Sequence, residues 1–299
     1  MDILLQVKIG PLAALMTAMC WMITALCFEY SSKKIGSLSV NLIRLYLAFV
    51  LFAVFSFIFR GIALPTDATS HGWIWLGLSG LVGFVLGDLF LFKAFVMIGS
   101  RTSMLVMSLA PLVTALIGFL ILDETLKVHH CIGMTMTTTG VMAVILTRKD
   151  GGKDFKHPRK GIIYASIGMI GQAVGLVLSK YGMEEYNAFS ATHIRIIAGL
   201  IGFTILFFHF RAWGQFAAAF KSKRAMIFLV VGTVFGPFLG VYLSLVAVQH
   251  TSTGIASTII SIVPVLIIPF AVLMFKEKVN LREIIGAVIA VIGTGIMFL

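Results

Sequence analysis

Followed for hydrophobic and polar positions, the chain is a series of apolar runs separated by short polar corners. Ten runs can be placed, at about 11–29, 39–59, 73–97, 103–122 and 131–147, then 161–180, 191–210, 225–248, 255–275 and 284–299. None shows the period-two alternation of a membrane strand in ~10-residue segments. Most are long enough for a helix to cross ~30 Å of hydrocarbon, and the last run of each half lies at the lower edge of that length. Every backbone polar group in hydrocarbon must be bonded internally, so unbroken apolar runs are expected to be helices. The pattern predicts an all-α polytopic membrane protein with ten transmembrane helices. Its one long hydrophilic stretch, RKDGGKDFKHPRK (Arg148–Lys160), has the Gly-Gly, Pro and dense charge of a linker. The organisation read from this is a first unit at 1–147, a linker at 148–160 and a second unit at 161–299.

The two units are copies. Adding 153 to Gly83, Leu86, Gly87, Ala94, Ser108, Pro111, Leu120 and Glu124 lands on Gly236, Leu239, Gly240, Ala247, Ser261, Pro264, Leu273 and Glu277, all identical in an ungapped alignment. The earlier parts align at an offset of 151, which carries Gly10, Tyr30, Ile43, Arg44 and Arg60 onto Gly161, Tyr181, Ile194, Arg195 and Arg211. The change of offset falls in the polar loop after the second run, where insertions are tolerated. Five spans per copy is an odd number, so the second copy enters the membrane from the opposite side. The expected architecture is two inverted five-helix repeats, related by an axis in the membrane plane, around a central cavity. Each half can then adopt the other's conformation, which yields outward-open and inward-open states of similar energy.

Composition agrees with a membrane chain, and charge orients it. Hydrophobic residues make up 59% and charged residues 12%, against ~25% charged in soluble domains. A net charge of +11 raises the question of nucleic acid, but the basic residues sit in short corners beside apolar runs, as topogenic charge does. Lys33, Lys34, Arg101, the six basic residues of the linker, Arg211, Lys221, Lys223, Arg224, Lys276, Lys278 and Arg282 share one side; Lys8, Arg60, Lys127 and Lys180 share the other. The bias puts the linker in the cytoplasm and both termini outside. The first run has a counterpart at Gly161–Lys180, so it is expected to be a retained helix and not a cleaved signal. Cys20, Cys27 and Cys131 show neither metal spacing nor a disulfide framework. His129 and His130 are adjacent and point to different faces of a helix. No HExxH, GxSxG, Walker loop or paired acidic motif occurs. The sequence therefore predicts no catalytic residues, no metal and no cofactor, and no self-contained ATP-driven pump.

Candidate site residues are the polar and aromatic groups at membrane depth. Asp88 lies ten residues before the corner at Ile98, roughly 15 Å at ~1.5 Å per residue. It reads either as a proton-coupling or substrate-binding carboxylate, or as a structural one satisfied by a neighbour such as Arg44. Trp21 and Gln172 are repeat equivalents near the centres of the first helices. With Tyr164, Tyr242, Ser108 and Ser261 they are the expected substrate-binding set, a few polar groups in an apolar cavity. Arg44 and Arg195, also equivalents, are expected to snorkel to loop carbonyls or lipid phosphate, with an anionic substrate as the sharper alternative. Lys93 reads as an anchor. Pro111 and Pro264, within the fourth and ninth helices, are the expected hinges. Glu124 and Glu277, beside Lys127 and Lys278, read as charges that order loops.

The pattern GD-x-x-x-F-K-A…IGS-R…S-x-A-P…L-x-x-x-x-D-E…G…G, from Gly87 to Gly140, resembles the third to fifth helices of an EamA-type repeat. The segment from Gly240 to Gly293 resembles the partner repeat. That family is part of the drug/metabolite transporter superfamily. The resemblance implies a ten-helix bundle whose cavity is formed by helices 1, 3, 4, 6, 8 and 9, and transport of a small metabolite. The function expected from all of this is secondary transport in the bacterial inner membrane, with export of an amino acid or related compound, by alternating access. An intramembrane enzyme or lipid-handling protein using the same cavity is the alternative. The expected partners are a small-molecule substrate and membrane lipid, with no nucleic acid; monomer and homodimer are both open.

Overall fold

The computed structural model describes residues 2–147, 158–211, 213–266 and 281–297, and among them the chain is helical, with no strand. The first repeat contains α1 (Asp2–Ile35), α2 (Ser37–Arg60), α3 (Ser70–Gly80), α4 (Leu89–Met107), α5 (Ala110–Leu122) and α6 (Val128–Thr147). The second contains α7 (Pro158–Met183), α8 (Ala188–Phe210), the short α9 (Trp213–Ala219), α10 (Lys223–Thr233), α11 (Val241–His250), α12 (Thr253–Ile260) and α13 (Leu281–Ile296). Six helical stretches are long and apolar enough to cross a membrane: Ile9–Ile35, Ser37–Arg60, Ser70–Ser100, Arg159–Met183, Ala188–Phe210 and Lys223–His250. Shorter apolar helices, Ala110–Leu122, Thr253–Leu266 and Ile284–Ile296, belong to the fourth, ninth and tenth spans.

Glycine makes the two tightest corners. Gly36, with φ of 86°, turns α1 into α2 in a single residue, and Gly99, with φ of 76°, separates the third span from the fourth inside α4. Both angles lie in the left-handed region that other residues occupy at a cost. Outside the bundle, Phe59, Ile74, Leu120, Ile205 and Phe208 are all exposed. Large apolar side chains bared in this way suit a lipid solvent and would be a liability in water. The fully buried side chains include Phe28, Phe52, Phe203 and Phe207.

The last helices of the two repeats display the symmetry directly. A Cβ built on Gly133 would lie 2.7 Å from the Gly293 carbonyl oxygen, and one on Gly286 2.8 Å from that of Gly140. Gly133 and Gly286 are repeat equivalents, as are Gly140 and Gly293. When i meets j and the copy of j meets the copy of i, the two elements are related by a twofold. Residue 133 meets 293 while 140 meets 286, so α6 and α13 run antiparallel and the axis lies across them. This is the inverted repeat expected of five spans per copy. The same reciprocity joins Gly10 to Thr251 at one end of the bundle and Gly161 to Ile98 at the other.

Each repeat also carries one widened turn at the same place. The third span passes through a π-helical segment at Leu81–Asp88 and the eighth through one at Val234–Gly240. Such turns often occur at functional sites.

A candidate substrate site between the repeats

The π segments sit where the repeats exchange helices: α7 packs along Leu81–Asp88 and α1 along Val234–Gly240. Close packing needs glycine. A Cβ on Gly171 would fall 2.8 Å from Gly87 Cα, and one on Gly175 2.9 Å from Gly83 Cα. The first helix of one repeat therefore lies nearly backbone to backbone on the third span of the other. Gln172 occupies the slot beside Gly87, and its equivalent Trp21 the slot beside Gly240.

Asp88 closes the first π segment and is 5% exposed. Its Oδ2 accepts a hydrogen bond from Arg44 Nη2, forming a buried ion pair, and its Oδ1 accepts one from Gln172 Nε2. Gln172 Nε2 also reaches the Gly83 carbonyl at 3.3 Å. The Arg44 guanidinium is wedged among aromatic rings, 4.7 Å from the centroid of Phe92 and 5.4 Å from that of Phe28, distances at which the ring faces attract a cation. Of the two readings of Asp88, the pair with Arg44 is the contact the structure contains.

Both arginines correct an expectation. Arg44 and Arg195 are each 4% exposed and turn inward, not out to lipid phosphate or loop carbonyls. Each lies seven residues into its helix, about 10 Å at 1.5 Å per residue, which is deep enough for a long side chain to reach the bundle axis. Arg195 stands 5.1 Å over the Phe84 ring, with Nη2 against Gly83.

Two cavities lie along this seam, and Trp21, Phe84, Met104, Met107, Gln172 and Val241 border both. One also reaches Arg44, Asp88, Thr24 and Phe92 and holds about 600 Å3 of empty space. The other reaches Arg195, Ser108, Thr114, Ser244, Ser257 and Ser261 and holds about 660 Å3. In the second, Thr114 Oγ1 lies 3.3 Å from Ser257 Oγ, while Ser244 and Ser261 donate to carbonyls of their own helices, both at 2.7 Å.

Of the expected site residues, Trp21, Asp88, Gln172, Ser108 and Ser261 line these cavities. Tyr164 and Tyr242 line neither. Tyr164 packs on Phe90, 5.4 Å between ring centroids, with the Lys93 ammonium 5.9 Å from its ring, and Tyr242 packs edge-on against Phe189 at 5.7 Å. Depth along a helix does not fix the face that a tyrosine presents. Arg195 and the hydroxyls of Thr114, Ser244 and Ser257 complete the lining. Their signal in the sequence was polarity inside apolar runs, shared with many packing residues.

The two prolines do not interrupt continuous helices. The fourth span breaks at Ser108–Leu109, and Pro111 sits in the first turn of α5; the ninth breaks at Ser261–Ile262, and Pro264 follows three residues after Ser261. Proline's missing N–H is harmless in a first turn. The break is held by matching bonds, Leu109 N–H to Val106 carbonyl at 3.1 Å and Ile262 N–H to Ile259 carbonyl at 3.2 Å. Glu124 pairs with Lys180 at 2.7 Å and caps α12 through the Thr253 N–H at 2.8 Å and hydroxyl at 2.7 Å. Glu277, its equivalent, falls outside the described residues, as does most of the linker. Among the described residues no group of His, Cys, Asp and Glu is placed to hold a metal ion.

The fold and seam define a class: a polytopic helical membrane protein of inverted repeats with cavities lined by both of them. A model of the EamA-like transporter family matches residues 8–146 and again 159–299. The chain belongs to the EamA-like transporter family, within the drug/metabolite transporter superfamily. It is similar to an uncharacterized transporter of Clostridium kluyveri, 25% identical over 183 residues. That match covers 59% of this chain and 56% of the relative, so it spans little more than half the relative's length. A crystal structure shares the fold with a TM-score of 0.72 at 16% identity, covering 96% of this chain and 94% of that one.

Proposed function

We propose that this transporter is secondary and works by alternating access, exporting an amino acid or related small metabolite. One observation carries the reading: the cavities are lined by residues of both repeats, at the seam where the first helix of each repeat packs along the widened third span of the other. Rocking about the twofold axis converts one gate into the other without repacking either repeat. The hinges of this motion are the paired breaks at Ser108–Leu109 and Ser261–Ile262, each kept from re-forming a continuous helix by the proline that follows. In the bacterial inner membrane, the end bearing Lys33, Lys34, Lys223 and Arg224 faces the cytoplasm and both termini face outward. Asp88 is the coupling residue: protonation would release Arg44 into the cavity. The repeats run 8–146 and 159–299, on either side of a cytoplasmic linker.

The test is counterflow. Proteoliposomes holding the purified protein and loaded with a bacterial metabolite mixture should exchange a subset of it unchanged. Appearance of a converted product would identify an enzyme instead. Uptake driven by an imposed pH gradient should be lost in Asp88→Asn, and retention of full pH-driven uptake would remove the coupling role.

A further inference from the structure

Only three charged groups line the described walls of the two cavities: Arg44, Arg195 and Asp88. Asp88 is committed to Arg44 on one oxygen and to Gln172 on the other. Arg195 has no carboxylate within ion-pair distance among the described residues, and its Nε has no hydrogen-bond partner there. The repeat explains the vacancy. Asp88 is to Arg44 as residue 241 is to Arg195, and residue 241 is valine. A guanidinium cannot shed its charge to relieve burial, as an ammonium can, so a buried one with no anionic partner in contact, drawn only at longer range by Asp88, is costly to keep. Its fork of donors matches a carboxylate in two parallel bonds.

We infer that the transported solute carries a carboxylate that binds Arg195, and that it has no compensating ammonium: a monocarboxylic acid such as a 2-oxo acid or an N-acylated amino acid. This rests on the transport reading above and narrows its substrate class. Around Arg195 the wall separates into two kinds. Ser257 and Ser261 offer hydroxyls to a second polar group, and Trp21, Met107 and Ile260 offer apolar surface to a side chain. Two guanidiniums and one carboxylate leave the described walls net positive, so a cationic nitrogen is disfavoured there. Gly83 belongs to the site as well, since a Cβ there would stand 3.2 Å from Arg195 Nη2.

The probes are the 2-oxo acids of leucine, methionine and phenylalanine, with the corresponding 2-oxo amides as controls that lack only the carboxylate and the free amino acids as controls that replace the oxo group with an ammonium. Two readouts are taken on the full chain: the thermal unfolding midpoint in detergent, and counterflow in proteoliposomes. The oxo acids should raise the midpoint and neither control should. Arg195→Gln should raise the half-saturating oxo acid concentration by about 10- to 100-fold, and Arg195→Lys, which keeps the charge but loses the fork, by less than about tenfold. Either control acting as well as the oxo acids, no midpoint shift with the oxo acids, or equal binding by wild type and Arg195→Gln would each overturn the proposal. A midpoint shift without exchange of any metabolite keeps the carboxylate site and removes the transport reading. Exchange confined to neutral or cationic metabolites does the reverse.

Discussion

The two poles of this molecule began as copies and now hold different chemistry. At one, Arg44, Asp88 and Gln172 form a closed polar set; their repeat equivalents are Arg195, Val241 and Trp21, of which Trp21 stands beside Gly240 while Arg195 lies against Gly83 and Phe84. The π segments and the third-span glycines are retained at both, Gly83 and Gly87 matching Gly236 and Gly240. Among the changes are carboxylate to valine and amide to indole, and the glycines Gly171 and Gly175 that cross the first pole correspond to Cys20 and Thr24. Losing the acid removes the reason for the amide that bonded it, and a large aromatic surface fills the slot. The arginine alone stayed on both sides. A duplicated fold can therefore keep the mechanics that need symmetry while giving up symmetry in the cavity, where a solute has two unlike ends.

The largest expected effect comes from removing the acid at the polar pole. Asp88→Ala should lower unfolding stability by about 3 kcal/mol, the lower end for breaking a buried pair, because the cavity lets water reach the Arg44 guanidinium. Denaturant titration in detergent measures this. Arg44→Gln should cost a similar amount, and the double variant less than the sum of the two. Additive losses would mean that the pair is not a unit, and the contrast between the poles would lose its polar member.

A smaller change should make one pole resemble the other. Gln172→Leu removes the hydrogen bond to Asp88 Oδ1 and leaves that oxygen facing apolar surface. A bond to a charged group contributes about 2 kcal/mol, and unfolding measurements should show a loss of that order. Trp21→Leu, at the equivalent slot, removes no hydrogen bond to a carboxylate, so its effect should be confined to lost packing.

The converse substitution restores the missing acid. Val241→Asp should place a carboxylate where Arg195 can pair with it, as Asp88 pairs with Arg44. Oxo acid counterflow should fall by about tenfold, equivalent to about 1.4 kcal/mol, because the internal carboxylate competes for the same guanidinium. Unchanged oxo acid exchange in a folded Val241→Asp protein would show that the poles are not equivalent in geometry.

Much of this contrast could be read from the sequence, and what could not has a physical cause. The offsets of 153 and 151 already paired Asp88 with Val241 and Gln172 with Trp21. Pairing with Arg44 is one of two readings of Asp88, and the sequence cannot choose between them, since the two residues lie on different helices and pairing depends on how those helices turn. An arginine seven residues inside a span can snorkel outward or point inward at similar depth, and only packing against Phe28, Phe84 and Phe92 decides. Tyr164 and Tyr242 line neither described cavity; for Tyr242, a π segment between residues 234 and 240 shifts the faces that follow it away from a count of 100° per residue. Pro111 and Pro264 marked the right places, although the chain breaks three residues earlier at the serines.

The smallest effect tests whether the frame itself is still symmetric. Gly87 and Gly240 are equivalents, but their surroundings now differ. A Cβ on Gly240 would come within 2.8 Å of Trp21 Cδ1 and 2.7 Å of the Phe235 carbonyl oxygen, one a rigid ring and the other backbone. On Gly87 the nearest atoms are Gln172 N and Nε2, both at 3.3 Å. Gly240→Ala should therefore cost about 1 kcal/mol or slightly more in unfolding stability, the low end for overpacking. Gly87→Ala should stay near neutral, because alanine's better helix propensity offsets a contact that needs only a small adjustment. Equal losses at both positions would show that the backbone crossing, and not the amide or indole beside it, sets the tolerance; the difference between the poles would then be limited to charge.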